Sequence, residues 1–154
     1  GGSTELTFYE NNEMQYEHSF NIGTIRLLNG LVTPTIWDEM KDEIKDKIKS
    51  KKTIVAIGSG GNINKIFSMS KTKDGKPMPV AVIKKYLKEM EKLSVVERMH
   101  EYQIREDRAD VIVPALTIFN NVMTWADIKH IYVPKISVAD GLVHSIYAKV
   151  TGQK

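Results

Sequence analysis

Two stretches of this chain combine residues able to hold an anion. Thr53 to Asn62 reads TIVAIGSGGN, and its apolar, β-branched opening, Thr53 to Ile57, predicts a short strand buried on both faces. Gly58, Ser59, Gly60 and Gly61 then turn the chain, and Asn62 is placed to cap a helix over Ile63 to Met69. Glycines let backbone approach a ligand closely, and free N–H groups at a helix start favour an anion such as phosphate. A tight strand-to-helix connection with no ligand is the other reading, since a lone glycine turn is a weak signal. The second stretch is Gly1-Gly2-Ser3-Thr4-Glu5, which reads either as a similar turn or as a flexible linker.

Periodicity predicts the elements that must position these turns. Apolar residues alternate on both sides of Glu10-Asn11-Asn12-Glu13, so residues 5–22 predict a β-hairpin. His18 falls on its apolar face as a packing histidine. Ile22 to Gly30 predicts about two helical turns closed by glycine, with Arg26 either anchoring a phosphate or joining an ion pair. Trp37, Met40, Ile44 and Ile48 make the buried stripe of a helix over Thr35 to Ser50, whose other face mixes lysines with carboxylates. Lys51 and Lys52 lead into the central strand. Ser70 to Pro79 reads as a loop whose Lys71, Lys73 and Lys76 either reach a phosphate or are solvated.

Val80, Ile83, Leu87 and Met90 mark the next helix, and Ser94 to Glu97 is a capping box that opens another. Arg105 to Ala115 opens a third, with a kink expected near Pro114. Asp107 and Arg108 either cap and pair at its start or carry a functional role, and sequence does not separate the two. Lys129 to Pro134 predicts a last strand. Ser137 to Asp140 is a second capping-box pattern, and Leu142, Val143, Ile146, Tyr147 and Val150 form the apolar side of a closing helix.

At 154 residues, 42% hydrophobic and 27% charged, the chain has the length and composition of one globular domain. No apolar run approaches the roughly 20 residues of a membrane-spanning helix. The absence of cysteine excludes disulfide and thiolate chemistry and is compatible with a cytoplasmic location. A net charge of +3 is too mild to argue for nucleic-acid binding, although it suits a polyanionic substrate. The four histidines are scattered, without zinc-ligand spacing. Strand, strand, helix, strand, helix, helical segment, strand, helix is the order of an α/β layered domain of the ribonuclease-H-like kind, with a mixed sheet.

GGSTEL followed by a hairpin, together with the later AIGSGGN, resembles the second half of the exopolyphosphatase and guanosine pentaphosphate phosphatase family. That family shares the fold superfamily of actin, sugar kinases and the heat-shock ATPases. Its members carry a DxGGGSTE loop, of which this chain keeps GGSTE. Gly23 to Leu27 is similar to the family's G-[AT]-x-R-L stretch, and the run from Asp107 to its DRAxxIxPG. Where the family commonly ends in VSxxGLRDGLL this chain reads SVADGLV, with Ala139 at a common arginine position, which weakens any phosphate grip there.

The resemblance implies hydrolysis of terminal phosphoanhydride bonds, in inorganic polyphosphate or guanosine pentaphosphate, with Mg²⁺. Glu5 matches the motif glutamate, for which metal binding or water placement is implied. Gly1, Gly2, Ser3 and Thr4 on one side and Gly58, Ser59, Gly60 and Gly61 on the other would bind phosphate. The resemblance also implies that a first strand and an N-terminal domain precede Gly1. Residues 1–154 would then be the C-terminal domain, with a helical insertion over about 80–125, and would hold half a site, inactive alone. A homodimer through the apolar insertion is compatible with it. Two other classes stay open: an ATP-binding kinase or ATPase of the same fold, with Gly58 to Asn62 on the adenosine, and a non-catalytic phosphate or nucleotide sensor using loop 70–79.

Overall fold

The computed structural model describes residues 1–49 and 53–134 and, beyond them, Val143, Ile146, Tyr147, Val150 and Thr151. Lys51, Lys52, the 137–140 capping-box pattern with Ala139, and Leu142 lie outside the described residues. The expected hairpin is present: β1 (Thr4–Glu10) pairs antiparallel with β2 (Glu13–Phe20). Asn11 and Asn12 carry it round with φ of 55° and 63°, the left-handed pair that a two-residue hairpin turn requires and asparagine tolerates. The register sets Glu5 opposite Ser19 and Leu6 opposite His18. The His18 ring lies 4.2 Å from that of Phe20 and its Nδ1 2.8 Å from Glu43 Oε2, but its side chain is 46% exposed, so it stacks at the surface rather than packing in a core as expected.

Helix α1 (Thr24–Leu28) ends before Gly30, whose φ is +64°. Helix α2 (Pro34–Ile48) begins at Thr33, whose hydroxyl accepts from the Ile36 N–H, with Pro34 at the first helical position. Met40 and Ile44 are fully buried, as their spacing predicts, while Trp37 and Ile48 flank them and Trp37 meets Trp125 edge to face.

The second sheet is smaller and differs from expectation. Strand β3 is only Ala56–Ile57, and it runs parallel to β5 (His130–Tyr132). Val55 is 64% and Ile57 69% exposed, so this segment is not buried on both faces. The physical reason is the sheet's extent: β1–β2 and β3–β5–β4 are separate sheets, and an open groove of about 650 Å³ lined by Leu6, Phe8, Val55 and Ile57 lies between β1 and β3. Strand β4 (Met78–Pro79), antiparallel to β5, falls in the stretch read as loop; prolines at 77 and 79 hide it, although Met78 is fully buried. The apolar residues Val143, Ile146, Tyr147 and Val150 are helical as expected, but they are exposed rather than packed.

Helices α3 (Gly61–Met69), α4 (Val80–Met90), α5 (Val95–Tyr102), α6 (Glu106–Ala109) and α7 (Ile112–Trp125) complete the domain. The capping box forms at α5: Ser94 Oγ accepts from the Glu97 N–H, and Glu97 Oε2 accepts from the Ser94 N–H. The expected kink near Pro114 is instead a clean break between α6 and α7. Helix α7 starts at Ile112, which leaves Pro114 in a first turn where a missing N–H costs nothing. Helix α7 joins two cores: Ile112, Leu116 and Met123 pack with Ile63, Ile66, Ile83 and Ile131, while Ile118 and Ala126 pack with Phe20, Ile22, Met40 and Ile44. The apolar stripes of 80–125 are therefore largely occupied by the chain's own core, with Val96 left exposed.

Candidate active site

The N-terminal turn is seated on α1. Thr4 Oγ1 donates to the Ile22 carbonyl at 2.6 Å, and Arg26 Nε donates to the Gly2 carbonyl at 2.8 Å. A Cβ on Gly23 would stand 2.3 Å from the Gly1 oxygen, so only glycine admits this approach. Arg26 thus braces the turn through Nε. Glu5 follows at the start of β1. Its Oε1 accepts from Ser3 Oγ at 2.5 Å and from Ser19 Oγ, across the hairpin, at 3.1 Å. The Ser3 hydroxyl above all holds the Glu5 carboxyl below its usual range against the opposing desolvation, with lesser help from Ser19 and from Glu5's own backbone N–H.

On the other side, the glycine turn divides its labour. The Gly58 N–H donates to the Tyr132 carbonyl at 2.8 Å and extends the β3–β5 ladder, so it is not a phosphate donor. A Cβ there would meet Ile131 Cδ1 at 2.7 Å, so Gly58 is required by packing. Gly60 has φ +123°, open to glycine alone, and it is the N-cap of α3. Asn62 is therefore inside the helix rather than its cap. The first intrahelical bond runs from the Asn64 N–H to the Gly60 carbonyl, which leaves the N–H groups of Gly61, Asn62 and Ile63 without carbonyls inside the helix.

Arg108 completes this side. Its Nη1 donates to Asn62 Oδ1 at 2.6 Å, and its guanidinium lies so close to Gly61 that a Cβ there would stand 3.0 Å from Nη1. Asp107 does not share that role: it pairs with Arg105 at 2.8 Å on the surface. The sequence singles out this Asp-Arg pair but leaves open whether it caps its own helix or serves the site. The signal that separates them is tertiary, the packing of α6 beside α3.

Both turns face one cavity of about 310 Å³. Gly1, Ser3, Thr4 and Glu5 line it from one side and Gly58, Ser59, Gly60, Gly61 and Asn62 from the other, over an apolar floor from α7 that includes Phe119 and Met123. Gly2 does not line it, and neither do Lys71, Lys73 or Lys76. Among the described residues no three metal-ligating side chains gather, and Glu5 is the one carboxylate on this cavity. Mg²⁺ is commonly held by one or two carboxylates with phosphate oxygens and water, so Glu5 fits as a single protein ligand. No described helix is long and apolar enough to cross a membrane.

The cavity thus brings a helix start with unsatisfied N–H groups opposite the Glu5 carboxylate, while Arg108, bonded to Asn62, stands behind that helix start and is not among the lining residues. The Ppx/GppA phosphatase family model matches residues 1–150. The Aquifex aeolicus Ppx/GppA phosphatase, in a type II variant structure, is 21% identical and superposes with a TM-score of 0.77 over 94% of this chain and 54% of its own. An exopolyphosphatase from Cytophaga hutchinsonii is 21% identical with a TM-score of 0.74, over 100% of this chain and 55% of its own. The chain therefore spans about half the length of these relatives, whose likeness shows a shared mixed α/β fold. A search of curated proteins found no match. On the family match, the chain belongs to the Ppx/GppA phosphatase family.

Proposed function

We propose that this chain is the C-terminal half of a two-domain phosphatase that hydrolyses terminal phosphoanhydride bonds of inorganic polyphosphate or guanosine pentaphosphate. The carrying observation is the convergence of Glu5 and the Gly60–Asn62 helix start on one cavity, with Arg108 bonded to Asn62. The groove between β1 and β3, beside the exposed Val55 and Ile57, supports an incoming strand from the N-terminal domain. The active site then lies between the two domains, and the chain alone releases no phosphate.

The terminal phosphoryl group rests on the N–H groups of Gly61, Asn62 and Ile63, with the Arg108 guanidinium beside it. Water attacks the terminal phosphorus, the bridging P–O bond breaks, and the shortened chain leaves with the bridging oxygen. Glu5 accepts a hydrogen bond from that water. With its pKa lowered, Glu5 is a weak base, which suits it to orienting water more than to early proton removal, and a loose phosphoryl transition state needs little more. Mg²⁺, when bound through Glu5 and phosphate oxygens, neutralises phosphate charge.

The test is phosphate release from long-chain polyphosphate with Mg²⁺, by the protein extended upstream through the N-terminal domain, beside its Glu5→Gln variant. A loss of about tenfold or more in the variant, roughly 1.4 kcal/mol of barrier, supports the proposal. No release from polyphosphate, but release from guanosine pentaphosphate, selects the second substrate. Turnover of neither overturns the proposal.

A further inference from the structure

We infer that Arg98 is a positioning residue for this cradle, clamping the one-turn helix that carries Arg108; the inference rests on the phosphate reading above. Arg98 lies in α5, partly buried. Its Nε donates to the carbonyl of Met90, the last residue of α4, at 2.8 Å, and its Nη1 donates to the carbonyl of Ala109, the last residue of α6, at 3.1 Å. Both acceptors are helix C-terminal carbonyls at the negative end of the helix dipole; the Met90 carbonyl also accepts from the Leu93 N–H at 3.1 Å, so Arg98 is its second donor.

Helix α6 needs such a hold. It spans Glu106–Ala109 and has no side-chain cap, and a single turn does not persist without outside contacts. Ala109 is fully buried and directly follows Arg108, so the bond from Arg98 fixes the Ala109–Asp110 peptide, one residue beyond the side chain that reaches Asn62. Arg98 is itself anchored, because its N–H donates to the carbonyl of the N-cap Ser94 at 3.0 Å. A planar guanidinium can bridge two carbonyls held in different directions, whereas a lysine ammonium at the end of a flexible stem holds one poorly. Arg98 touches neither the cavity nor, on the proposed mechanism, the substrate. It acts through Arg108.

The experiment is amide and arginine side-chain NMR on the ¹⁵N-labelled chain, wild type and Arg98→Gln, titrated with inorganic tripolyphosphate. The expected result is that Arg98→Gln moves the Gly61, Asn62 and Arg108 Nε–H resonances, leaves those of Met40 and Ile44 in place, and raises the half-saturating tripolyphosphate concentration about fivefold or more. Wild-type positions for Gly61, Asn62 and Arg108 in the folded variant would overturn the inference. Should Arg98→Gln fail to fold, Arg98→Lys decides by the same resonances. If tripolyphosphate moves no wild-type resonance, the cradle reading fails, while the comparison without ligand still decides the role of Arg98.

Discussion

Arg108 and Asn62 stand 46 residues apart in sequence, yet the Arg108 guanidinium donates to the Asn62 side-chain oxygen at 2.6 Å. This bond sets a fixed cation at the start of α3, next to N–H groups that the helix cannot satisfy. On the proposed function, a cation beside orphan donors favours a multiply charged anion. Arg108→Met should raise KM for polyphosphate about tenfold or more, with a smaller effect on kcat, because the positive charge is lost while the helix start remains. Steady-state phosphate release by the two-domain protein checks this. An unchanged KM would remove Arg108 from the cradle.

Ser3 and Ser19 both donate to Glu5 Oε1, and the Ser3 bond is the larger cause of the lowered Glu5 pKa. Ser3→Ala should therefore move the Glu5 titration upward by more than Ser19→Ala does. The sign for stability follows: a carboxyl with a depressed folded-state pKa stabilises the fold above its unfolded pKa, and that contribution fades as pH falls through the folded value. Carboxyl ¹³C NMR across the acid range reads the titration directly. Equal shifts in the two variants would contradict the ranking.

Three glycines make separable predictions. Gly23→Ala sets a methyl 2.3 Å from backbone atoms of Gly1 and Gly2, which cannot yield as a side chain can, so the N-terminal turn must move and carry Ser3 with it. Gly58→Ala meets the buried Ile131 and Phe119 side chains, a packing clash worth about 1–3 kcal/mol. Gly60→Ala has open space around it but must hold φ at +123°, which costs about 1–3 kcal/mol of backbone strain. Urea unfolding measures the last two. For Gly23→Ala the decisive reading is the Glu5 titration, which should rise as Ser3 withdraws; an unmoved titration would mean that the turn absorbs the methyl elsewhere.

Much of this was legible in the sequence wherever local chemistry decides the outcome. Hairpin alternation, the Asn11-Asn12 turn, the α2 stripe and the Ser94 capping box all depend on residues close in sequence, and each appears as read. The misreadings share another cause. Val55 and Ile57 look like core because β-branched apolar runs usually are, but burial depends on what covers them, and among the described residues β3 has only β5 beside it. Asn62 looks like a cap because of its residue type, but Gly60 takes that place and Arg108 claims the side chain. The candidate site was half legible for the same reason: the motif residues announce the two turns, whereas Arg108 and Arg98 act through packing between α3, α5 and α6.

Glu43 joins the hairpin to α2, and its chemistry gives a pH-dependent prediction. Its Oε2 accepts from the Tyr16 hydroxyl and lies 2.8 Å from His18 Nδ1, while Lys47 Nζ sits 4.9 Å from the centre of the Tyr16 ring. The His18 hydrogen bond first, then that of Tyr16, lowers the Glu43 pKa; burial and the Glu43 carboxylate raise that of Tyr16, which stays a protonated donor. A lowered carboxyl pKa stabilises the fold at neutral pH, and that stabilisation is lost as pH falls through the folded value. The Glu43 side chain is 36% exposed, so solvent screens the pair and Glu43→Gln should cost only about 0.5–1 kcal/mol near neutrality. The difference between wild type and variant should then shrink toward zero as pH falls through the lowered folded-state pKa of the wild-type carboxyl, below the usual glutamate range. Denaturant midpoints at several pH values test this. A gap that persists undiminished into acid would assign the effect to side-chain packing between β2 and α2 rather than to charge.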